Sequence, residues 1–227
     1  MKRKNLLSVL SALALFLITP AFAQKFEAVH AVNFDDYNQA KRALDYLMED
    51  DAMKGARVTL YSQEFGQRVS SHLIVRDFDG YADYKSSNEK RLASHGWTRY
   101  QLETVDSEYL GSDQIMVVDD HGAPRYTAEY LVAYLIHSTD AALYRSAVAD
   151  LNKGVGNPGV LRLVAMRTGN MAYTHAVLIG GPDFESVQKY LDKLFASDTF
   201  AEFAKKVGDT RKVVGVNTYY RVATYGD

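Results

Sequence analysis

The sequence predicts an α+β protein in which one β-α-β-β-α-β unit occurs twice in tandem. The second half of the chain repeats the first at a constant spacing of 103 residues, so Ser71-His72-Leu73-Ile74-Val75 returns as Thr174-His175-Ala176-Val177-Leu178. The same offset relates Trp97 to Phe200 and Lys90 to Lys193 without a gap. A repeat of this length is a whole small domain, which excludes a solenoid of short units.

Apolar periodicity in the first copy predicts four strands, at residues 26–33, 57–61, 70–75 and 112–118. Helical spacing of apolar side chains covers residues 36–48, and further helices begin at Asp79 and at Ser94. A loop that contains Gly66 joins the second strand to the third, which indicates a hairpin.

The second copy has the same predicted order, with strands at residues 127–136, 160–166, 173–179 and 213–225. Its predicted helices cover residues 140–151, 183–195 and 197–207. Asp183 and Ser197 each precede an amphipathic run and are the predicted N-caps of the last two helices. Residues 119–125, which include Gly122 and Pro124, form the predicted linker between a first repeat, 24–118, and a second, 126–227.

This order of elements is that of the ferredoxin-like, split βαβ unit. A sheet of this kind carries helices on one face only, so its other face needs a partner. Two copies in one chain can supply that partner by laying their bare faces together. We therefore expect an intramolecular α+β barrel that is a monomer, or at most a weak dimer, in solution.

The duplication and the element order, over nearly all of residues 24–227, resemble the dimeric α+β barrel superfamily. That superfamily includes antibiotic-biosynthesis-monooxygenase-like, NIPSNAP-like and stress-responsive barrel proteins, and chlorite-dismutase-like haem proteins. The resemblance implies that the barrel other members build from two chains is built here from one. Members of the superfamily include haem-degrading oxygenases, cofactor-free oxygenases, haem enzymes and proteins with no known chemistry, so the resemblance implies one of these classes.

Residues 1–23 have the pattern of a secretory signal peptide. Lys2, Arg3 and Lys4 form a basic start, residues 6–18 form a short apolar run, and Ala21-Phe22-Ala23 is a small-x-small cleavage site. An apolar run of this length is too short to cross a bilayer as a helix. No cysteine follows it, which excludes a bacterial lipid anchor. We expect a soluble periplasmic or secreted protein that begins at Gln24 and has no membrane anchor.

The charge balance gives no sign of a polyanionic partner. The chain has 26 basic and 28 acidic residues, and residues 1–23 hold three of the basic ones, so the mature chain has a net charge of 23 − 28 = −5. A mildly acidic chain without a long basic run argues against nucleic-acid binding. The absence of cysteine excludes disulfides, thiolate chemistry and cysteine-ligated metals.

His72 and His175 occupy the same position in the third strand of each copy, each after a hydroxyl residue. They are candidate ligand-binding or acid–base groups that face a cavity. The alternative is a structural histidine that was duplicated with the fold and is buried and hydrogen-bonded. No second ligand lies at metal spacing, so no metal site is predicted.

Asn33, His95 and Trp97 form a second candidate site. The resemblance implies it, because haem-degrading oxygenases of this fold use an Asn at the end of the first strand with a Trp and a His from the helical side. Here His95 precedes Trp97 by two residues, whereas the His of those enzymes follows the Trp at a longer spacing. Trp97 also aligns with Phe200 on an amphipathic helix, which favours a role in the core.

A third candidate site consists of polar side chains that alternate with apolar ones along three strands. Arg57 and Tyr61 alternate with Val58 and Leu60, Arg162 lies between two leucines, and Arg221 shares a predicted face with Tyr219 and Tyr225. Such side chains could line a partly polar barrel interior and bind an acidic or aromatic ligand. They could equally form the interface between the two repeats.

The sequence alone favours an exported protein that binds a small ligand or a protein partner without catalysis. The alternative is an oxygenase or a haem-dependent enzyme of the α+β barrel type. The residues themselves predict no cofactor, and haem enters only through the resemblance.

Overall fold

The computed structural model describes residues 24–67, 70–169 and 172–226. The predicted signal peptide lies outside these residues. The strands are β1 Phe26–Asn33, β2 Arg57–Gln63, β3 His72–Phe78, β4 Glu108–Gly122, β5 Tyr130–Ser138, β6 Val160–Thr168, β7 His175–Gly181 and β8 Arg211–Tyr225. The helices are α1 Tyr37–Met48, α2 Tyr81–Ala93, α3 His95–Glu103, α4 Ala141–Val155, α5 Phe184–Phe195 and α6 Asp198–Val207.

The eight strands form one closed antiparallel barrel in a mixed α+β fold. Around the barrel their order is β1-β3-β2-β8-β5-β7-β6-β4, and β4 closes the ring by pairing with β1. Strands β4, β1, β3 and β2 are contiguous, as are β8, β5, β7 and β6. The two groups meet edge to edge, β2 with β8 and β4 with β6. The sheet faces without helices therefore become the inside of the barrel.

Strands β4 and β8 are 15 residues long, longer than the sequence predicted. The first part of β4 pairs with β1, and its second part pairs with β6. Asp119, Asp120, His121 and Gly122, which were expected in the linker, are therefore paired strand residues. The extra length has a physical cause, because each of these strands must reach a partner in both halves to close the barrel.

The helix starts follow the predicted capping pattern. The side chain of Asp183 accepts a hydrogen bond from the backbone N–H of Ser186, and that of Ser197 accepts one from Phe200. Both predicted N-caps are thus confirmed, and Asp36 caps α1 in the same way. No helix in the described part of the chain is long and apolar enough to cross a membrane.

The barrel interior is nearly filled by side chains. Tyr61 and Tyr219 pack with aliphatic residues from both halves, and the remaining interior space is about 80 Å³. One end of the interior is closed by Arg125, which is only 2% exposed and donates hydrogen bonds to Glu27, Asp77 and Tyr61. The inside of the barrel is therefore a packed core.

Candidate functional site

A cavity lies on the outside of the barrel, between the sheet of the first half and helices α1, α2 and α3. Its volume is about 460 Å³, which is within the range of small-molecule sites. An apolar floor is formed by Val32, Leu44, Leu47, Met53, Val58 and Ile74. Polar and aromatic side chains form the walls and the mouth: His30, Arg76, Arg91, Trp97, Tyr100, Gln101, Thr104, Ser107 and Tyr109. We call this space the helix–sheet pocket.

Two arginines bring positive charge to the wall of the helix–sheet pocket. Arg76 projects from β3 and is buried, and Arg91 lies in the last turn of α2. Each donates a hydrogen bond to a neutral side chain of α2, Arg76 to Ser87 (3.1 Å) and Arg91 to Asn88 (2.8 Å). Within the described residues neither arginine forms a salt bridge.

The environment disfavours both arginine charges. Burial and the nearby charge of Arg91 lower the pKa of Arg76 to about 10. Burial also lowers the pKa of Arg91, and its buried Nε has no hydrogen-bond partner among the described residues. A buried cation without an acidic partner is costly to the fold, and an anionic ligand would offset that cost.

His30 projects from β1 into the same space. Burial, followed by the charges of Arg76 and Arg91, lowers the pKa of His30 to about 4. The imidazole is therefore neutral at physiological pH and can accept a hydrogen bond from a ligand. Its ring centroid lies 6.3 Å from that of Tyr109.

A stacked aromatic pair completes the wall. The rings of Trp97 and Tyr100 lie 5.1 Å apart at an angle of 11°, and the guanidinium carbon of Arg91 lies 3.8 Å from the centre of the Trp97 ring. Burial raises the pKa of Tyr100 to about 12, so its hydroxyl stays protonated. Flat aromatic surfaces beside cations suit a planar anion.

The corresponding space in the second half is filled. Strand pairing sets the correspondence: Val58 pairs with Arg76 in the first half, and Leu161 pairs with Ile179 in the second. The place of Arg76 is thus taken by Ile179. Between this sheet and its helices only about 40 Å³ remains.

Helices α2 and α5 differ in the same way. Helix α5 buries Val187, Tyr190, Leu191 and Leu194 against the sheet. At the 103-residue offset, α2 has Tyr84, Ser87, Asn88 and Arg91, and none of its side chains is buried. The first half therefore has a polar-walled cavity where the second half has an apolar layer.

The paired histidines lie on the helix-facing side of their strands but do not line the helix–sheet pocket. His72 and His175 are both buried, and their Nδ1 atoms lie 2.9 Å from the Ser71 hydroxyl and 2.8 Å from the Thr174 hydroxyl. Each packs edge-on against an aromatic ring, Phe34 for His72 and Tyr144 for His175. Burial lowers the pKa of both.

Asn33, His95 and Trp97 are not brought together around one cavity. Asn33 bonds the backbone N–H of Ser71 and the carboxylate of Glu108 at the end of β1. His95 is exposed at the start of α3. Of the three, only Trp97 lines the helix–sheet pocket.

The third candidate site, the polar strand residues, divides into two residues inside the barrel and two at its surface. Tyr61 and Arg162 lie at the closed end of the barrel, where Arg162 bonds Glu27 and Asp120. Arg57 instead pairs with Asp79 at the rim, and Arg221 pairs with Glu129. The arrangement does not form one ligand cavity.

Arg221 and Tyr225 do not share the face that the sequence predicted. The pairing of β2 with β8 shifts register between Tyr61, opposite Arg221, and Leu60, opposite Ala223. A bulge of this kind turns the following side chains to the other face. Tyr225 consequently packs on the helix side, where its hydroxyl donates a hydrogen bond to Asp45 (2.7 Å).

The closed end of the barrel holds a buried acidic pair. Burial opposes ionisation of Glu27, yet the charges of Arg125 and Arg162 keep its pKa below the usual value. Burial and the charge of Glu27, against the attraction of Arg125, raise the pKa of Asp77 to about 6. These groups satisfy one another and leave little space for a ligand.

The pocket chemistry is that of anion and aromatic recognition. In the described residues no three histidine or acidic side chains converge as they would at a metal centre. The helix–sheet pocket offers two cations, one neutral imidazole, stacked rings and an apolar floor. These groups could hold an aromatic acid, and the neutral imidazole could also bind the iron of a haem.

Comparison with known proteins identifies the fold. No family model matches the sequence, and no curated protein matches it. A candidate monooxygenase from Fusobacterium nucleatum subsp. nucleatum ATCC 25586 matches with a TM-score of 0.60 and 10% identity over 90% of this chain and 95% of its own. The likeness shows the fold of this chain, a closed α+β barrel of the dimeric α+β barrel type.

Two other solved structures are similar to a comparable degree. An anthrone oxidase-like protein matches with a TM-score of 0.56 and 12% identity, over 90% of this chain and 94% of its own. A candidate chlorite dismutase matches with a TM-score of 0.50 and 14% identity, over 88% and 96%. Identities this low relate the folds alone.

Proposed function

We propose that the protein binds a small planar anion, an aromatic or conjugated acid, in the helix–sheet pocket. One observation carries the proposal. Arg76 and Arg91 border a cavity of about 460 Å³ without an acidic partner in the described chain, whereas apolar side chains fill the matching space in the second half.

The ligand's apolar body would lie on the aliphatic floor, against the stacked rings of Trp97 and Tyr100. The aromatic pair is common to both halves, since Phe200 and Phe203 stack at the corresponding positions. On the sheet side of the pair, the first half has a cavity of about 460 Å³, whereas the second half has one of about 40 Å³. Contact with a ring and burial of aliphatic surface would supply most of the non-specific affinity.

The ligand's acidic group would lie near Arg76 and Arg91. A carboxylate there would restore the charge balance that burial disturbs, and guanidinium groups bind carboxylates in paired geometry. Charge-assisted hydrogen bonds of this kind are the stronger class, so a neutral analogue of the same shape should bind much more weakly.

The single tryptophan provides a direct test, because Trp97 forms part of the pocket wall and is the only Trp in the chain. We expect 2-naphthoate to quench its fluorescence saturably, and 2-naphthamide to do so only at far higher concentration. Arg76→Met and Arg91→Met should each weaken 2-naphthoate binding roughly ten- to hundredfold.

Arg145→Met is the matched control, because Arg145 is a surface arginine of the second half that pairs with Asp119. It should bind like the wild type. Equal affinity for the acid and the amide, or wild-type affinity in both pocket variants, would refute anion binding in this pocket.

A haem-dependent activity is the second candidate, and one observation favours it. His30 presents a neutral imidazole to the pocket, and Arg76 and Arg91 could pair with the propionates. The donor set therefore fits haem, which when bound would supply redox chemistry toward oxygen. His30 would hold the iron, while Trp97 and Tyr100 would contact the ring. This candidate is also in keeping with the neighbour named as a candidate chlorite dismutase.

Haemin titration separates the two candidates. Binding through His30 should produce a shifted Soret band that His30→Gln abolishes and His137→Gln keeps, because His137 is exposed on β5 of the second half. An unshifted Soret band in the wild type would exclude haem ligation. Oxygen consumption with a bound aromatic acid would test the cofactor-free oxygenase alternative in the same samples.

We further propose that the two halves are tandem copies of one ferredoxin-like unit and that the chain is an exported monomer. The proposal is supported by the equal element order of the halves and by the contiguous strand sets β4-β1-β3-β2 and β8-β5-β7-β6. The pattern of residues 1–23 supports export, and the closed barrel supports a monomer.

A further inference from the structure

A second cavity adjoins the helix–sheet pocket on the other side of Arg76. Its volume is about 290 Å³, and Arg76 lines both spaces. Helix α2 borders both, through Arg91 in the first and through Ser86 and Lys90 in the second. We call it the polar annex, because charged and hydroxyl side chains dominate its walls.

The acidic side chains of the polar annex are already engaged. Asp79 accepts a hydrogen bond from Arg57 (2.9 Å), and Asp77 accepts one from Arg125 (2.8 Å). Asp83 accepts the backbone N–H of Asp79 (3.0 Å). Each carboxylate of the polar annex therefore already has a hydrogen-bond partner within the chain.

Two cations of the polar annex are not compensated in this way. Lys54 pairs with Asp51 (2.7 Å), but Lys90 has neither an ion pair nor a hydrogen bond in the described chain. Arg76 likewise lacks an acidic partner there. The annex thus presents one unpaired cation at its boundary with the helix–sheet pocket and another on α2.

We infer that the ligand is an elongated diacid that occupies both cavities, an inference that rests on the proposed function. Its aromatic body lies in the helix–sheet pocket, and its first carboxylate lies beside Arg76 at the boundary. A hydrophilic chain continues from that end of the ring into the polar annex. There its second acidic group meets Lys90.

Three probes test the inference on the mature protein by titration calorimetry. The short probe is 2-naphthoate. The diacid probe is 3-(succinylamino)-2-naphthoate, whose chain leaves the ring beside the carboxylate. The third probe has the same chain ended in a carboxamide, so it differs from the diacid only in the terminal charge. We expect the diacid to bind roughly three- to tenfold tighter than the carboxamide.

Lys90→Met should remove this gain and leave the affinity for 2-naphthoate unchanged. Lys193→Met is the matched control, because Lys193 occupies the corresponding exposed position on α5. It should keep the full gain. Both lysines are exposed, so neither substitution threatens folding.

The outcomes separate the two ideas. If 2-naphthoate binds but the diacid is no tighter than the carboxamide, or the gain survives Lys90→Met, the two-cavity ligand is wrong and the pocket assignment stands. If 2-naphthoate itself does not bind, the pocket assignment fails and the inference falls with it.

Discussion

At the scale of single residues, His30 couples protonation to folding. Its pKa in the folded protein is about 4, against an ordinary value near 6.5, because of burial and two neighbouring arginines. Between those values the unfolded chain binds a proton that folded His30 does not. The contribution of His30 to stability is therefore full above about pH 6.5 and is lost as the pH falls toward 4.

We predict that His30→Gln makes the free energy of unfolding less dependent on pH between about pH 6.5 and 4. Urea unfolding at pH 7, 5.5 and 4.5 should show a wild-type slope that is steeper than the variant's by up to about 1.4 kcal/mol per pH unit. His137→Gln, on the exposed end of β5, should keep the wild-type slope. A His30→Gln slope equal to that of the wild type would show that His30 titrates normally.

The paired histidines are predicted to support the fold. His72 and His175 are buried beside hydroxyl groups, so truncation to Ala should lower the free energy of unfolding by about 1–3 kcal/mol each. Thermal unfolding measures this cost, and Trp97 quenching by 2-naphthoate should stay unchanged. Full stability with lost ligand binding would instead place these residues in the site.

The sequence pattern identified the paired histidines as candidates but did not identify Arg76 and Arg91. His72 and His175 are marked by identity between the two halves, because each half buries a histidine beside a hydroxyl group at this position. Arg76 and Arg91 correspond to Ile179 and Leu194 at the 103-residue offset, so they are marked by a difference between the halves. A search for residues that both halves share does not find such positions. A search for charged residues that replace apolar ones at the 103-residue offset would have found them.

At the scale of elements, α2 and α5 differ in the side chains that they place toward the sheet. Those of α2 are mostly polar, and those of α5 are mostly apolar. The double variant Arg76→Ile, Arg91→Leu restores the side chains of the second half. We predict that it raises the free energy of unfolding by about 1–3 kcal/mol, because one buried and one half-buried charge, neither of them in a salt bridge, are replaced by apolar contacts. Denaturant unfolding measures the gain, and 2-naphthoate binding should be lost.

A loss of stability in this double variant would contradict the prediction, since it would mean that the arginines hold α2 in place. The matched control is the exposed pair Lys90→Leu, Lys193→Leu, in which no buried charge is removed. Its stability should stay within about 0.5 kcal/mol of the wild type.

Element order was predictable, but strand ends were not. The apolar periodicity placed all eight strands and the N-caps Asp183 and Ser197. It did not predict that β4 continues through Asp119 to Gly122, because this part of the strand is fixed by its pairing with β6. The bulge that redirects Tyr225 is likewise a property of pairing.

At the scale of the whole molecule, we predict a mature monomer that begins at Gln24. Intact-mass measurement of protein from the exported fraction should match residues 24–227, with or without cyclisation of the first residue. Sedimentation should give one 204-residue chain per particle. A retained apolar run at residues 6–18, or an obligate dimer, would contradict the export or the monomer proposal respectively.

The closure of the barrel also sets the order of events in folding. Strand β2, near the start of the chain, pairs with β8 at its other end, and β4 pairs with β6 across the two halves. Contacts between distant segments form slowly, because a long loop must close before they are made. Neither half has both of its sheet edges covered until β8 arrives. Synthesis of the chain must therefore run nearly to its end before the native state exists, which leaves a long interval in which the nascent chain is accessible to chaperones.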